Sequence, residues 1–176
     1  NIASRCAGFI ARGSQGRLAD RLPEPALYED FADARQRIGS AYETRDFAAV
    51  VREVMQLTDR ANLYIDQRKP WIMARDPAQA GDVQGVCTQG LNLFRVLLVY
   101  LKPIMPRLAA GAEQFLGLAP QCWDDVAQPL ALLRRQRVTG HCTGSALSAL
   151  LDEALTHGIA LGGRQPRLAP VGVDRG

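Results

Sequence analysis

The sequence has no long hydrophobic run. Its longest, Val96-Leu97-Leu98-Val99-Tyr100-Leu101, is far short of the ~18 residues that a membrane span needs, so no membrane partner is expected. Cysteine is sparse: Cys6, Cys87, Cys122 and Cys142 form no CxxC pair. Metal ligands usually come in close pairs and disulfide frameworks are denser. The four therefore read as free thiols in a reducing compartment, the cytoplasm, with no metal site. Histidine is rarer still, and His141 and His157 both lie in the weakly patterned C-terminal part. No Ser/His/Asp arrangement can be assembled around them. Neither GxGxxG nor GxxxxGK[ST] occurs, so no phosphate-cradling loop is expected. The adjacent carboxylates Glu29-Asp30 and Asp124-Asp125 point apart on a helix and read as solvated charges. No active site is visible. The opening residues, without Met or a signal-peptide core, read as a piece of a longer chain.

Of 176 residues, 47% are hydrophobic and 22% charged, the balance of a globular domain rather than a disordered chain. Residues 1–133 carry 15 basic and 15 acidic residues, whereas 134–176 carry 6 arginines against 3 acids. The net charge of +3 therefore belongs to the tail. Nearly all the basic residues are arginine, lysine occurring only at 69 and 102. Arginine suits base and phosphate recognition, and a GC-rich genome gives the same bias.

Apolar spacing near 3.6 residues predicts helices throughout the first two-thirds. Ile2, Cys6, Phe9 and Ile10 mark one over 1–12, closed by the glycines of Arg12-Gly13-Ser14-Gln15-Gly16. Pro25 leads into a second, which carries Tyr28, Phe31, Ala34, Ile38 and Tyr42. Asp46 is placed to cap a third, running to Asp66 before Pro70-Trp71 interrupts it. Asp76-Pro77 and Gly81 predict a loop, residues 82–101 a fourth and most apolar helix, and Ile104 to Leu116 a fifth. Five helices with short connections predict an all-α antiparallel bundle. A boundary falls near Leu133. Residues 134–176 are expected to form a poorly ordered tail, with one further helix over 144–157 and disorder from Gly158.

A few side chains suit nucleobases. Asn1 and Arg5 are one helical turn apart on a shared face, where an amide and a guanidinium can read a base edge or form an ordinary polar face. Trp71, after Pro70 at a helix break, can stack an unpaired base or fill a corner of the core. Asn62 and Asp66 are also one turn apart, placed to bond each other or to position the Trp71 loop. Arg95, on the most apolar helix, is expected to pair with a carboxylate.

Several segments carry a resemblance in a single order. Asn1-Ile2-Ala3-Ser4-Arg5, Arg45-Asp46-Phe47, Arg52-Glu53-Val54-Met55, Ala61-Asn62-Leu63-Tyr64-Ile65-Asp66 and Pro70-Trp71 are the first. Leu91-Asn92-Leu93-Phe94-Arg95, Tyr100-Leu101-Lys102-Pro103 and Trp123 follow. Over residues 1–133 the chain resembles the anticodon-binding domain of bacterial methionyl-tRNA synthetases, class I aminoacyl-tRNA synthetases. The resemblance implies a C-terminal fragment of a methionine–tRNA ligase, cut from a catalytic domain whose HIGH- and KMSKS-type motifs are not in this sequence. ATP and methionine would be used by that parent domain, and this chain would hold no cofactor and no catalytic residue. The implied partners are the anticodon loop of methionine tRNA and the catalytic domain of the same chain, with no DNA and no membrane. The implied anticodon-binding residues are Asn1, Arg5 and Trp71, supported by Asn62, Asp66 and Pro70.

Two departures stand out. The family's basic-aromatic stretch near Arg12-Gly13-Ser14-Gln15-Gly16 lacks its aromatic here, and its Leu-Tyr-x-Arg-Ile-like segment after the Trp123 region has no match. Codons for Gly140-His141-Cys142-Thr143-Gly144, shifted by one frame, can spell Ala-Leu-Tyr-Arg. The tail is thus either divergent or out of frame. Two other readings of the chain stand beside the ligase one: a freestanding helical RNA- or tRNA-binding module, and a purely structural bundle.

Overall fold

Prolines and one aspartate set most helix starts. In the computed structural model, which describes residues 2–130, α1 spans Ile2–Gly13, α2 Pro25–Glu43, α3 Phe47–Arg68, α4 Pro70–Met73, α5 Ala80–Leu101 and α6 Pro106–Leu116. Pro25, Pro70 and Pro106 each open their helix, where a missing N–H costs nothing. Asp46 caps α3 by accepting from the Ala49 N–H at 2.9 Å. Among the described residues there is no strand, so the all-α expectation holds.

Two details differ from the sequence reading. Asp76-Pro77 and Gly81 do not make an open loop. Asp76 accepts from the Ala78 N–H and caps a short 3-10 turn, Pro77–Gln79, which runs straight into α5. The signals taken for a break are helix-start signals. The break at Pro70 is also sharper than expected. Lys69 takes a left-handed φ of 48° and α4 follows at once as one short turn. The predicted helix over 144–157, the tail's disorder and the boundary near Leu133 lie outside the described residues.

The bundle is organised around α5, buried along almost its whole length. α3 runs antiparallel to it. Ile65 near the end of α3 lies against Gly90, while the Tyr42 hydroxyl, just before α3, donates to the Tyr100 carbonyl at 2.7 Å. α1 packs across Gly90, where a Cβ would come within 2.9 Å of Ile65 Cδ1 and 3.1 Å of Cys6 Sγ. Glycine here costs about 1 kcal/mol of helix propensity and lets three helices approach closely. The Cys6 thiol is held protonated by its hydrogen bond with the Cys87 thiol and by burial.

Arg95 does not pair with a carboxylate. It is 2% exposed, and its guanidinium donates to Gln121 Oε1 at 2.9 Å, the Tyr28 hydroxyl at 2.8 Å and the Gln128 carbonyl at 2.5 Å. Three neutral acceptors fit the planar fork and stitch α5 to α2 and to the segment after α6. Alongside, Lys102 and Glu113 form a 2.6 Å ion pair, and Glu113 also accepts from the Gln121 N–H. Trp123, on a 3-10 turn over Trp123–Ala127, packs with Tyr42 and Tyr100 at ring separations of 6.1 and 5.2 Å.

Candidate nucleic-acid interface

α1 and α4 meet at one end of the bundle and leave an open cleft of about 550 Å³ between them. Its lining is Ser4, Arg5, Gly8, Phe9, Arg12 and Trp71. Arg5 and Trp71, far apart in sequence, are here in contact. The Arg5 guanidinium carbon lies 5.3 Å from the centre of the indole ring, within cation–π range.

Each position follows from local structure. The left-handed turn at Lys69 redirects the chain after α3, Pro70 starts α4 and is itself buried, and Trp71 comes next, half-buried. Packing of Cys6 and Ile2 over Gly90 fixes α1 in rotation, which leaves Arg5 exposed on the side toward α4. Gly8, one turn on, keeps the cleft floor bare. A Cβ there would meet only the tip of the Arg12 side chain, at 3.4 Å. Arg12 stands over the Phe9 ring at 5.9 Å. The cleft thus offers two guanidinium forks and two aromatic rings around an apolar floor, a chemistry suited to an unpaired base and its phosphate.

Asn62 and Asp66 are exposed on α3 and are not among the residues lining the cleft. Asn1 lies outside the described residues. Sequence reasoning missed Gly8, Phe9 and Arg12, treating Phe9 as part of a core stripe and Arg12 as the start of a loop. The helical spacing from Arg5 to Gly8 and Arg12 was the signal that could have found them.

Nearby, the ion pair between Arg68 and Glu24 ties the end of α3 to the start of α2, and Arg68 lies over the Tyr64 ring. Burial pushes the Tyr64 hydroxyl pKa upward. Among the described residues no group of His, Cys, Asp and Glu could hold a metal ion, and no helix is long and apolar enough to cross a membrane.

No family model matches the chain. Among curated proteins it is 52% identical over 130 residues to the methionine–tRNA ligase of Xanthomonas campestris pv. campestris (strain B100). It is 51% identical over the same length to that of Xanthomonas euvesicatoria pv. vesicatoria (strain 85-10). In both cases the match takes in 74% of this chain and 19% of the ligase, so the chain spans about a fifth of the length of these relatives. The fold is shared with the crystal structure of the apo form of Mycobacterium tuberculosis methionyl-tRNA synthetase. The TM-score is 0.62 at 18% identity, over 78% of this chain and 29% of that one. Over those 130 residues, the chain is a relative of one segment of the methionine–tRNA ligases.

Proposed function

We propose that this chain is the anticodon-reading portion of a methionine–tRNA ligase and binds the CAU anticodon of methionine tRNA in the cleft between α1 and α4. The observation that carries the reading is the contact of Arg5 with Trp71. A base that stacks on the indole replaces the guanidinium there, and the displaced fork is then within reach of the base edge. Arg12, on the same helix face, meets the phosphate backbone. By the resemblance, Asn1 adds an amide to edge reading, and Pro70 sets the position of Trp71. Asn62 and Asp66 lie outside the cleft lining and support the Trp71 segment only through α3. Charging with methionine, using ATP, belongs to the catalytic domain of the parent chain in the cytoplasm.

Binding of anticodon stem-loops, measured at one salt concentration, tests this. Trp71→Ala removes a stacking face that any base can use and should weaken CAU and first-base-variant stem-loops alike, by ~1–3 kcal/mol. Arg5→Ala should cost ~1–3 kcal/mol mainly for CAU, on the scale of specific base contacts. Equal losses for Arg5→Ala on both stem-loops would make Arg5 a phosphate contact, and no loss for either variant would remove the cleft from RNA binding.

A further inference from the structure

α1 rests on α5 mainly through small side chains. Its buried residues are Ala3, Cys6, Ala7 and Ile10, and Cys6 Sγ lies 3.1 Å from where a Cβ on Gly90 would stand. Cys87 is one helical turn before Gly90 on α5, and its thiol meets that of Cys6 in a hydrogen bond. Both cysteines are free and wholly buried, whereas Cys122 is exposed. They stand 81 residues apart in the sequence, so the α1–α5 seam alone brings them together. A disulfide needs Cα atoms about 4.4–6.8 Å apart, closer than the axes of most packed helices, about 8–10 Å. The missing side chain at Gly90 favours so close an approach. Cys6 also follows Arg5 directly, so the seam that holds the thiols carries one wall of the cleft.

Shut inside the fold, the pair is inert. The shared hydrogen bond and burial keep Cys6 protonated, and the thiolate is the reactive form. Lifting α1 from α5 ends that burial, while the Arg5 charge alongside still favours the thiolate. Local openings of this kind cost less than global unfolding.

We propose that Cys6 and Cys87 are a redox staple: a peroxide oxidises the pair to a disulfide that fastens α1 to α5 and holds the Arg5–Trp71 cleft assembled. In the first step the Cys6 thiolate attacks an oxygen of hydrogen peroxide. The O–O bond breaks, Cys6 becomes a sulfenic acid, and the departing hydroxide takes up a proton as water. In the second step the Cys87 thiolate attacks the Cys6 sulfur, the S–O bond breaks, and a second water leaves. The two thiols lose two electrons and two protons, and one hydrogen peroxide becomes two waters. A dithiol reductant reverses the bond by exchange. The effect on RNA rests on the anticodon reading proposed above, and the staple itself does not.

The test is limited hydrogen peroxide on the 176-residue chain carrying Cys122→Ser and Cys142→Ser, in which only this pair remains. Both thiols should disappear, leaving a monomer two hydrogen masses lighter in which the Cys6 and Cys87 peptides are joined. The melting temperature should rise by roughly 10 °C, as for a bond that closes a long loop, and dithiothreitol should return it. Three outcomes overturn the staple: links only between chains, sulfinic acid without a link, or a disulfide that leaves the melting temperature unchanged or lower. A peroxide-induced rise that survives in Cys87→Ala overturns it as well. Affinity for the CAU stem-loop is then measured in urea that unfolds about nine-tenths of the reduced chain. There the oxidised chain should bind ~10-fold more tightly, the inverse of the reduced chain's folded fraction. A linked and stabilised chain that gains no affinity over the reduced one overturns the hold on the cleft. Binding by neither form, even without urea, sinks the anticodon reading and leaves the staple standing.

Discussion

Arg5 and Arg95 are the same side chain put to opposite uses. Arg95 is buried in the second half of α5, and its two terminal nitrogens donate to Tyr28, Gln121 and Gln128. Arg5 is exposed at the far end of the bundle and rests on the face of Trp71. A guanidinium whose donors meet acceptors inside the protein holds elements together. One whose edge stays in water, over a flat aromatic surface, keeps its donors for a ligand. The burial of the guanidinium itself, rather than the residue type, separates the two.

The comparison breaks most readily at Arg95. Arg95→Ala takes the donor from the Gln121 and Gln128 carbonyls, leaves the Tyr28 hydroxyl only its bond to the Val126 carbonyl and empties a fully buried site on α5, and should cost about 3–4 kcal/mol in denaturant unfolding. Arg5→Ala, by contrast, should stay within about 0.5 kcal/mol of the parent in the same experiment, as surface substitutions do. If Arg95→Ala were as mild as Arg5→Ala, the buried network would not be what joins α5 to α2. Two glycines sharpen the contrast further. Gly90→Ala forces a methyl against Ile65 and Cys6 and should destabilise by ~1–3 kcal/mol despite the better helix former. Gly8→Ala meets only the mobile end of Arg12, so the helix-propensity gain of up to ~1 kcal/mol should appear as added stability. Thermal melts of the two variants should therefore move in opposite directions.

Helices were legible because their signals are local. A 3.6-residue apolar period, Pro25 as a helix start, Pro70 as a break and Asp46 as a cap all act within one or two turns, whereas the start at Pro106 was placed two residues early, at Ile104. The same locality misled at Asp76-Pro77, where residues that end one helix equally well begin the next. The partners of Arg95 were not legible, since a tyrosine far upstream and two glutamines in an irregular segment carry no charge to announce them. Arg5 and Trp71 could be paired beforehand only through the family resemblance. Their contact depends on how α1 lies on α5, and Gly90 sets that through side chains distant in sequence. Phe9 and Arg12 share the face of Arg5, yet an aromatic at helical spacing looks the same whether it lines a core or a cleft.

The crossing of α1 over Gly90 also dictates a timetable. α1 is made before the other described helices, but the surface it rests on comes almost a whole domain later, at residues 80–101. On the ribosome α1 must wait unpartnered while α2, α3 and α4 emerge, several seconds at ~5–20 residues per second. The long loop between Cys6 and Cys87 can close only after that wait. Arg5 therefore reaches Trp71 among the last events of assembly, and an immature chain has no finished cleft.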